Sequence, residues 1–428
     1  MKKIIAVTAG LMLAGSIVAS ANAATINFNG DARARFIYAE NYWDGSGKSI
    51  GSSLSPKDTK QEYWTSRVRL QFKIETKGGA YAVGRFRLAD GTWDGNSNPG
   101  ANKNSTMAYG EKSNLYADVA YVGVPMGPVT IEGGLLYPTV SMFLRKDDPY
   151  DVIRAVYKTD QTTVALFGEK LSEYASKDVT TTDAKTGLAT TKTVIDNNMT
   201  SDDDIQNIGV NLIQKFGGGW SVNGLVLYHD NQQKDLNGFI VDAIVAGKAG
   251  PVDLVGEFIY KEKDVQLSTG GLDDNGYGGY VGARVPMGGS AAITMVGGMT
   301  GNGFVAGSDF GAVEDVTGFA PFVMLSGATA KSMGMLNTGI LVGSATGDAY
   351  FFNVAPCVKV SDKLTLVAEG SYVNADVGKD SVDIWEIGGI AQYKVTDGAA
   401  ITAMLGYLDI ENADENPLAF GLALDLKF

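Results

Sequence analysis

The last ten residues constrain this chain most. In Ala419-Phe-Gly-Leu-Ala-Leu-Asp-Leu-Lys-Phe428, the residues Phe420, Leu422, Leu424, Leu426 and Phe428 share one face of an extended backbone. Gly421, Ala423, Asp425 and Lys427 share the other. Strict period-two alternation specifies a strand with one oily and one polar face. The pattern runs to the final residue, and that residue is aromatic. Chain ends usually fray in water, so a strand that keeps its oily face to the last residue calls for a partner strand and an apolar surrounding. A strand lying between lipid and a water-filled lumen satisfies both demands.

The other end carries a different signal. Lys2 and Lys3 precede an apolar run from Ile4 to about Val18, and Ala21-Asn22-Ala23 supplies small residues at the spacing of a cleavage site. Residues 1–23 therefore read as a secretory signal peptide, with residues 24–428 as the mature domain. That run is too short for a permanent span, and no later stretch reaches the ~20 apolar residues a membrane helix needs. Cys357 is the single cysteine, so no internal disulfide staples the exported chain. Mean hydropathy is close to zero, the average expected when lipid-facing and water-facing residues alternate.

The alternation recurs along the chain. Over Thr25–Tyr38, Ile26, Phe28, Ala32, Ala34, Phe36 and Tyr38 oppose Asn27, Asn29, Asp31, Arg33 and Arg35. Over Glu62–Thr76, Trp64, Val68, Leu70, Phe72 and Ile74 oppose Arg67, Arg69, Gln71, Lys73 and Glu75. A third strand sets Phe86 and Leu88 against Arg85 and Arg87. Short turns of Gly, Pro, Asp or Ser chemistry alternate with long polar loops. The turns fall at Lys77–Gly79, Pro125–Pro128, Thr159–Gln161, Gly217–Gly219, Gly247–Pro251, Pro286–Ser290, Ser361–Lys363 and Thr396–Gly398. The third loop spans 138–151, and the largest clear one 171–204. Giving every short turn to one side returns Phe428 to the side where strand one begins, so the strand number is even. The count is 18, within 16 to 20; region 300–349 is either one long loop or holds two more strands, near 316–325 and 336–345. Trp220, Tyr228, Tyr121, Tyr137, Tyr157, Tyr260, Tyr372, Trp385, Tyr393 and Tyr407 fall near the ends of oily faces, as membrane-interface girdles require.

Signal peptide, closing strand with terminal Phe428, and the alternation of short turns with long loops resemble bacterial outer-membrane β-barrel porins. The fold class expected is all-β: a transmembrane antiparallel up-and-down barrel. The resemblance implies an outer-membrane location among lipid and lipopolysaccharide, insertion by the barrel-assembly machinery with Phe428 as assembly signal, and favours a homotrimer. In general porins the third loop folds into the barrel, which here would set Arg145, Lys146, Asp147 and Asp148 at the constriction.

The residues themselves place one chemistry. Arg33, Arg35, Arg67, Arg69, Arg85 and Arg87 come from three consecutive strands at i, i+2 spacing, so they share a face. At the bilayer midplane a lipid-facing arginine costs about 2–4 kcal/mol, which turns this face to the lumen. Carboxylates such as Asp31 and Glu75 either neutralise the row or leave it an anion-attracting wall. Asp242, Asp253, Glu257, Glu369 and Glu386 take polar-face positions on later strands, so a basic wall faces an acidic one. Asp202–Asp204 and Asp273–Asn275 have oxygen ligands for Ca²⁺ but match solvated loop acids better. One histidine, His229, at a strand end facing an outside loop, leaves no Ser-His-Asp constellation, and no P-loop, HExxH or CxxC occurs. No enzyme activity, cofactor or metal is expected, and no nucleic-acid partner. A ring of 16–18 strands leaves an aqueous channel, so the expected function is passive diffusion of small hydrophilic solutes and ions, or a channel specific for an anionic nutrient such as a carboxylate or phosphate.

Overall fold

A computed structural model describes residues 25–41, 60–92, 116–138, 144, 149–172, 175–182, 189–196, 204–232, 235–265, 275–302, 304, 348–377, 380–411, 413 and 415–428. The strands are β1 (Thr25–Glu40), β2 (Lys60–Glu75), β3 (Tyr81–Thr92), β4 (Tyr116–Met126), β5 (Val129–Leu136), β6 (Tyr150–Lys158), β7 (Thr162–Ser172), β8 (Ala175–Thr182), β9 (Ala189–Asp196), β10 (Ile205–Lys215) and β11 (Ser221–Asn231). They continue as β12 (Leu236–Ala249), β13 (Val252–Lys261), β14 (Gly276–Pro286), β15 (Ala291–Gly301), β16 (Ala349–Lys359), β17 (Leu364–Val377), β18 (Asp380–Thr396), β19 (Ala399–Ile410) and β20 (Leu418–Lys427).

All but β8 and β9 form one 18-stranded antiparallel sheet in which every strand pairs with its chain neighbours, β10 following β7 directly. The ring closes where β20 pairs with β1, Arg33 opposite Asp425 and Asp31 opposite Lys427. Closure leaves no sheet edge, which a wall in hydrocarbon requires. Among the described residues no helix is long and apolar enough to cross a membrane. Residues 303 and 305–347 lie outside the described set, and the ring closes without any strand from that stretch. Residues 1–23, expected to be a signal peptide, and the four proposed constriction residues, Arg145 to Asp148, also lie outside the described residues.

Two boundaries differ from the sequence reading. Within 171–204, β8 and β9 pair as a separate two-stranded hairpin, Thr180 opposite Thr191 and Asp178 opposite Thr193. Its threonines are β-branched and favour extended backbone, a preference masked in the sequence by their polarity. The turn after β12 is also tighter than Gly247–Pro251, because the strand runs on to Ala249.

The oily face turns outward on every side of the ring: Phe28, Ile153, Leu166, Ile208, Val281, Ile387 and Leu424 are each at least half exposed. In a soluble protein such a belt would be an aggregation surface; here it is the lipid-facing wall. Aromatic pairs mark its rim near the long loops, with ring centroids 4.8 Å apart for Phe36–Trp64, 5.0 Å for Tyr228–Phe239 and 4.6 Å for Tyr372–Trp385. Trp220 sits at the opposite rim with its ring against Gly247, where a Cβ would come within 2.2 Å of it. Tyr121 and Tyr137 depart from the girdle pattern. Tyr121 packs edge-on against the inward Tyr81 at 6.2 Å, and Tyr137 lies under Arg85 at 4.8 Å, so both belong to the inner wall.

The terminal aromatic residue locks the seam. Gly30 N–H donates to the Phe428 carbonyl (2.8 Å) and Phe428 N–H to the Gly30 carbonyl (3.0 Å). The Phe428 ring occupies the outer face of Gly30, where a Cβ would lie 2.6 Å from its edge.

Candidate functional site: the inner wall

The inner face of β20, β1, β2 and β3 carries the arginine row. Register sets Arg33 opposite Arg67 and Asp31 opposite Arg69. A bulge between Val68 and Arg69 then shifts β3, so Arg69 faces Arg87, Gln71 faces Arg85, and Arg67 faces Asp90. The row is therefore a diagonal rather than a level ladder, because an inserted residue re-aims the strand.

Two carboxylates are each shared by two guanidiniums. Arg69 Nε donates to Asp31 at 2.8 Å, and Arg67 reaches the same carboxylate at 3.4 Å. Arg85 Nε and Arg87 Nε donate to the two oxygens of Asp118 at 2.8 and 2.6 Å. Asp118 was invisible to alternation: it is an even residue on a strand whose other inward residues, Val119 and Tyr121, are odd. A register shift opposite Arg85 and Phe86 brings it inward, and it is only 2% exposed. Tyr137 O–H also donates to Asp118 (3.2 Å), and Arg87 lies 5.6 Å from the Tyr116 ring centroid. Sharing leaves the row with net positive charge, so the carboxylates temper the wall without cancelling it.

The basic surface extends beyond the six arginines. Arg154 on β6 pairs with Glu132 on β5, which also accepts from Tyr81 O–H. Lys73 stands 4.6 Å from the Tyr81 ring centroid and pairs with Glu75 at 2.7 Å. Arg154 has no basic residue two positions away on β6, and without i, i+2 company it gave no sequence signal.

The expected acidic wall is present, and it is covered. Asp242, Glu257, Glu369 and Glu386 face inward at 1, 5, 5 and 1% exposure. Ser371 Oγ donates to Glu369 (2.6 Å), and Asn353 Nδ2 donates to Ser371 (2.7 Å). Asp253 lies nearer the short-turn rim and pairs with Lys248 at 3.1 Å. His229 sits near the loop end of β11, as the sequence reading had it, but faces inward and is fully buried, with Nδ1 2.8 Å from Asn207 Oδ1. Among the described residues no cluster of three metal-ligating side chains occurs. Asp204 pairs with Lys170, and the Asn275 side chain accepts from Lys263 N–H.

No protein-family model and no curated protein matches this sequence. Solved structures match along nearly its whole length. A BenF-like porin from Pseudomonas fluorescens Pf-5 is 13% identical at a TM-score of 0.55, over 94% of this chain and 98% of that one. OccK9 (OpdG) of Pseudomonas aeruginosa is 14% identical at 0.56, with 94% and 98% covered. OccK2 (OpdF) of Pseudomonas aeruginosa, solved in complex with glucuronate, is 10% identical at 0.55, again with 94% and 98% covered. The chain therefore shares its fold, over 94% of its length, with a BenF-like porin and two Occ proteins.

Proposed function

We propose that this protein is an outer-membrane porin: a channel through which small hydrophilic solutes and ions diffuse passively past an arginine-rich wall. One observation carries the reading. A closed ring of 18 strands turns an apolar belt outward and sets Arg33, Arg35, Arg67, Arg69, Arg85 and Arg87 on its inner face. A ring of this size has room for an aqueous path, and a positive inner surface raises the local concentration of anions. Solute enters between the long loops, passes the arginines and leaves at the short-turn rim. Arg145, Lys146, Asp147 and Asp148 narrow the path if the third loop folds inward. Phe428 serves assembly, and a homotrimer in lipid and lipopolysaccharide is the assembly this reading favours.

A second reading, a channel specific for an anionic nutrient, is favoured by the shared-carboxylate geometry. Asp31 and Asp118 hold pairs of guanidiniums at fixed spacing, which suits stepwise capture of a carboxylate or phosphate. OccK2 was solved with glucuronate, a sugar acid. Current through the purified protein in planar bilayers separates the readings: a linear current favours general diffusion, and block that saturates with one small organic anion favours the specific channel. Absence of any conductance would sink both.

A further inference from the structure

The single histidine is held by a relay that fixes its chemistry. Glu169 on β7, Asn207 on β10 and His229 on β11 are 3, 1 and 0% exposed, side by side on the inner wall. Asn207 Nδ2 donates to Glu169 Oε2 at 2.9 Å, and Asn207 Oδ1 lies 2.8 Å from His229 Nδ1. The amide gives its nitrogen to Glu169, which leaves its oxygen, an acceptor only, for His229. The imidazole then carries its proton on Nδ1 and donates it to Asn207. Nε2 keeps a bare lone pair, buried, with no hydrogen-bond partner. A carboxylate fixing a ring tautomer through an intermediary is the arrangement that prepares histidine for an event at its other nitrogen.

The groups around that nitrogen define the event. On β12, His229 faces Gly238, which offers no charge. The space above Gly238 is taken by the turn after β13: a Cβ there would lie 2.9 Å from Glu262 Oε2 and 3.0 Å from Val265. Glu262 Oε2 accepts from Phe239 N–H at 2.8 Å. Lys261 Nζ donates to the Val265 carbonyl at 2.7 Å, and Val265 is fully buried. The charged groups on this side are thus Lys261 and Glu262; on the other side Glu169 acts through Asn207, and Asp230 is the next residue of β11. A proton can enter only at Nε2. It makes a buried cation with an unsatisfied N–H, close to the Lys261 ammonium that holds the turn.

We propose that His229 is a proton-operated latch, which when neutral lets the Glu262–Val265 turn pack onto the inner wall and when protonated releases it, changing passage through the loop side of the barrel. This rests on the channel reading for its consequence but not for its mechanism. Two measurements therefore test it on full-length protein and on His229→Gln, which keeps polarity without titrating. The first is amide hydrogen exchange of residues 262–265, normalised to unstructured peptide, between about pH 8 and pH 3, a range wide enough to protonate a buried imidazole. Exchange in the wild type should rise at least about tenfold on acidification and stay flat in His229→Gln. The second is bilayer conductance over the same range, which should change with a single-proton midpoint in the wild type only. Glu169→Gln, which takes away the carboxylate that orients the Asn207 amide, should shift the midpoint. Barrel folding of each variant is read by its heat-modifiable electrophoretic mobility. pH-independent exchange in the wild type, or an unchanged profile in His229→Gln, overturns the latch. A protein that never conducts, yet shows the exchange change, keeps the latch and refutes the channel.

Discussion

The two charged walls of this barrel are built from the same residue classes and differ in access. On β1 to β3, Arg67 and Arg69 keep 24 and 18% of their side chains exposed, and Asp31 between them keeps 25%. On the far wall, Asp242 and Glu386 are each 1% exposed. A charge that meets water in the lumen can act on a passing ion, whereas a covered one acts through its neighbours and mainly decides local stability. The sequence places a transverse field between equal walls. The structure makes it lopsided: Arg67 and Arg69 stay open although Arg35 is covered at 5%, while Asp242, Glu257, Glu369 and Glu386 are sealed and Asp253, at the rim, is open.

The largest effect that would sharpen this contrast comes from Asp118. Removing a carboxylate that two guanidiniums share, at 2% exposure, strands buried positive charge, and the cost of breaking such a buried pair is about 3–5 kcal/mol. Asp118→Ala should lower the midpoint of urea unfolding in lipid accordingly; a change under about 1 kcal/mol would mean solvent already screens the pair.

The seam comes next. Gly30→Val puts a side chain where the Phe428 ring and the Arg69 carbonyl sit, each 2.6 Å from a Cβ there. Folded yield in assisted-insertion assays should fall severalfold, as should that of a chain lacking Phe428. Asp425→Asn, on the inner face opposite Arg33, should alter conductance and leave yield intact. Equal damage from both would break the division between an outer, assembling face and an inner, conducting one.

The smallest effect expected is on the sealed wall. Glu386→Gln should move ion selectivity less than any single arginine change on the open wall. A larger shift would show that the far wall is reached by the solute after all.

Alternation and turn chemistry made most of this legible. Period-two patterning assigned inside and outside for the strands carrying Arg33, Arg67 and Arg85, parity of turns gave an even ring, and counting the alternating segments gave 18 strands within a range of 16 to 20. Bulges defeated the reading where they occurred, because one inserted residue flips the face; Asp118 and the diagonal run of the arginines both follow from such shifts. Tyr121 and Tyr137 were misassigned since aromatic residues suit either a lipid interface or a cation partner. Burial of the far carboxylates and of His229 depends on what packs over them, and composition along a strand carries no record of that.

Reversal potential across a salt gradient tests the central claim most directly. A unit charge in water is worth roughly 1 kcal/mol at 4 Å, or about fivefold in ion preference. Neutralising the open wall with Arg67→Gln and Arg69→Gln should therefore shift the reversal potential toward cations by severalfold in permeability ratio, with the channel still conducting. An unchanged reversal potential in that double variant would contradict the account, because the arginine row would then lie off the path that ions take.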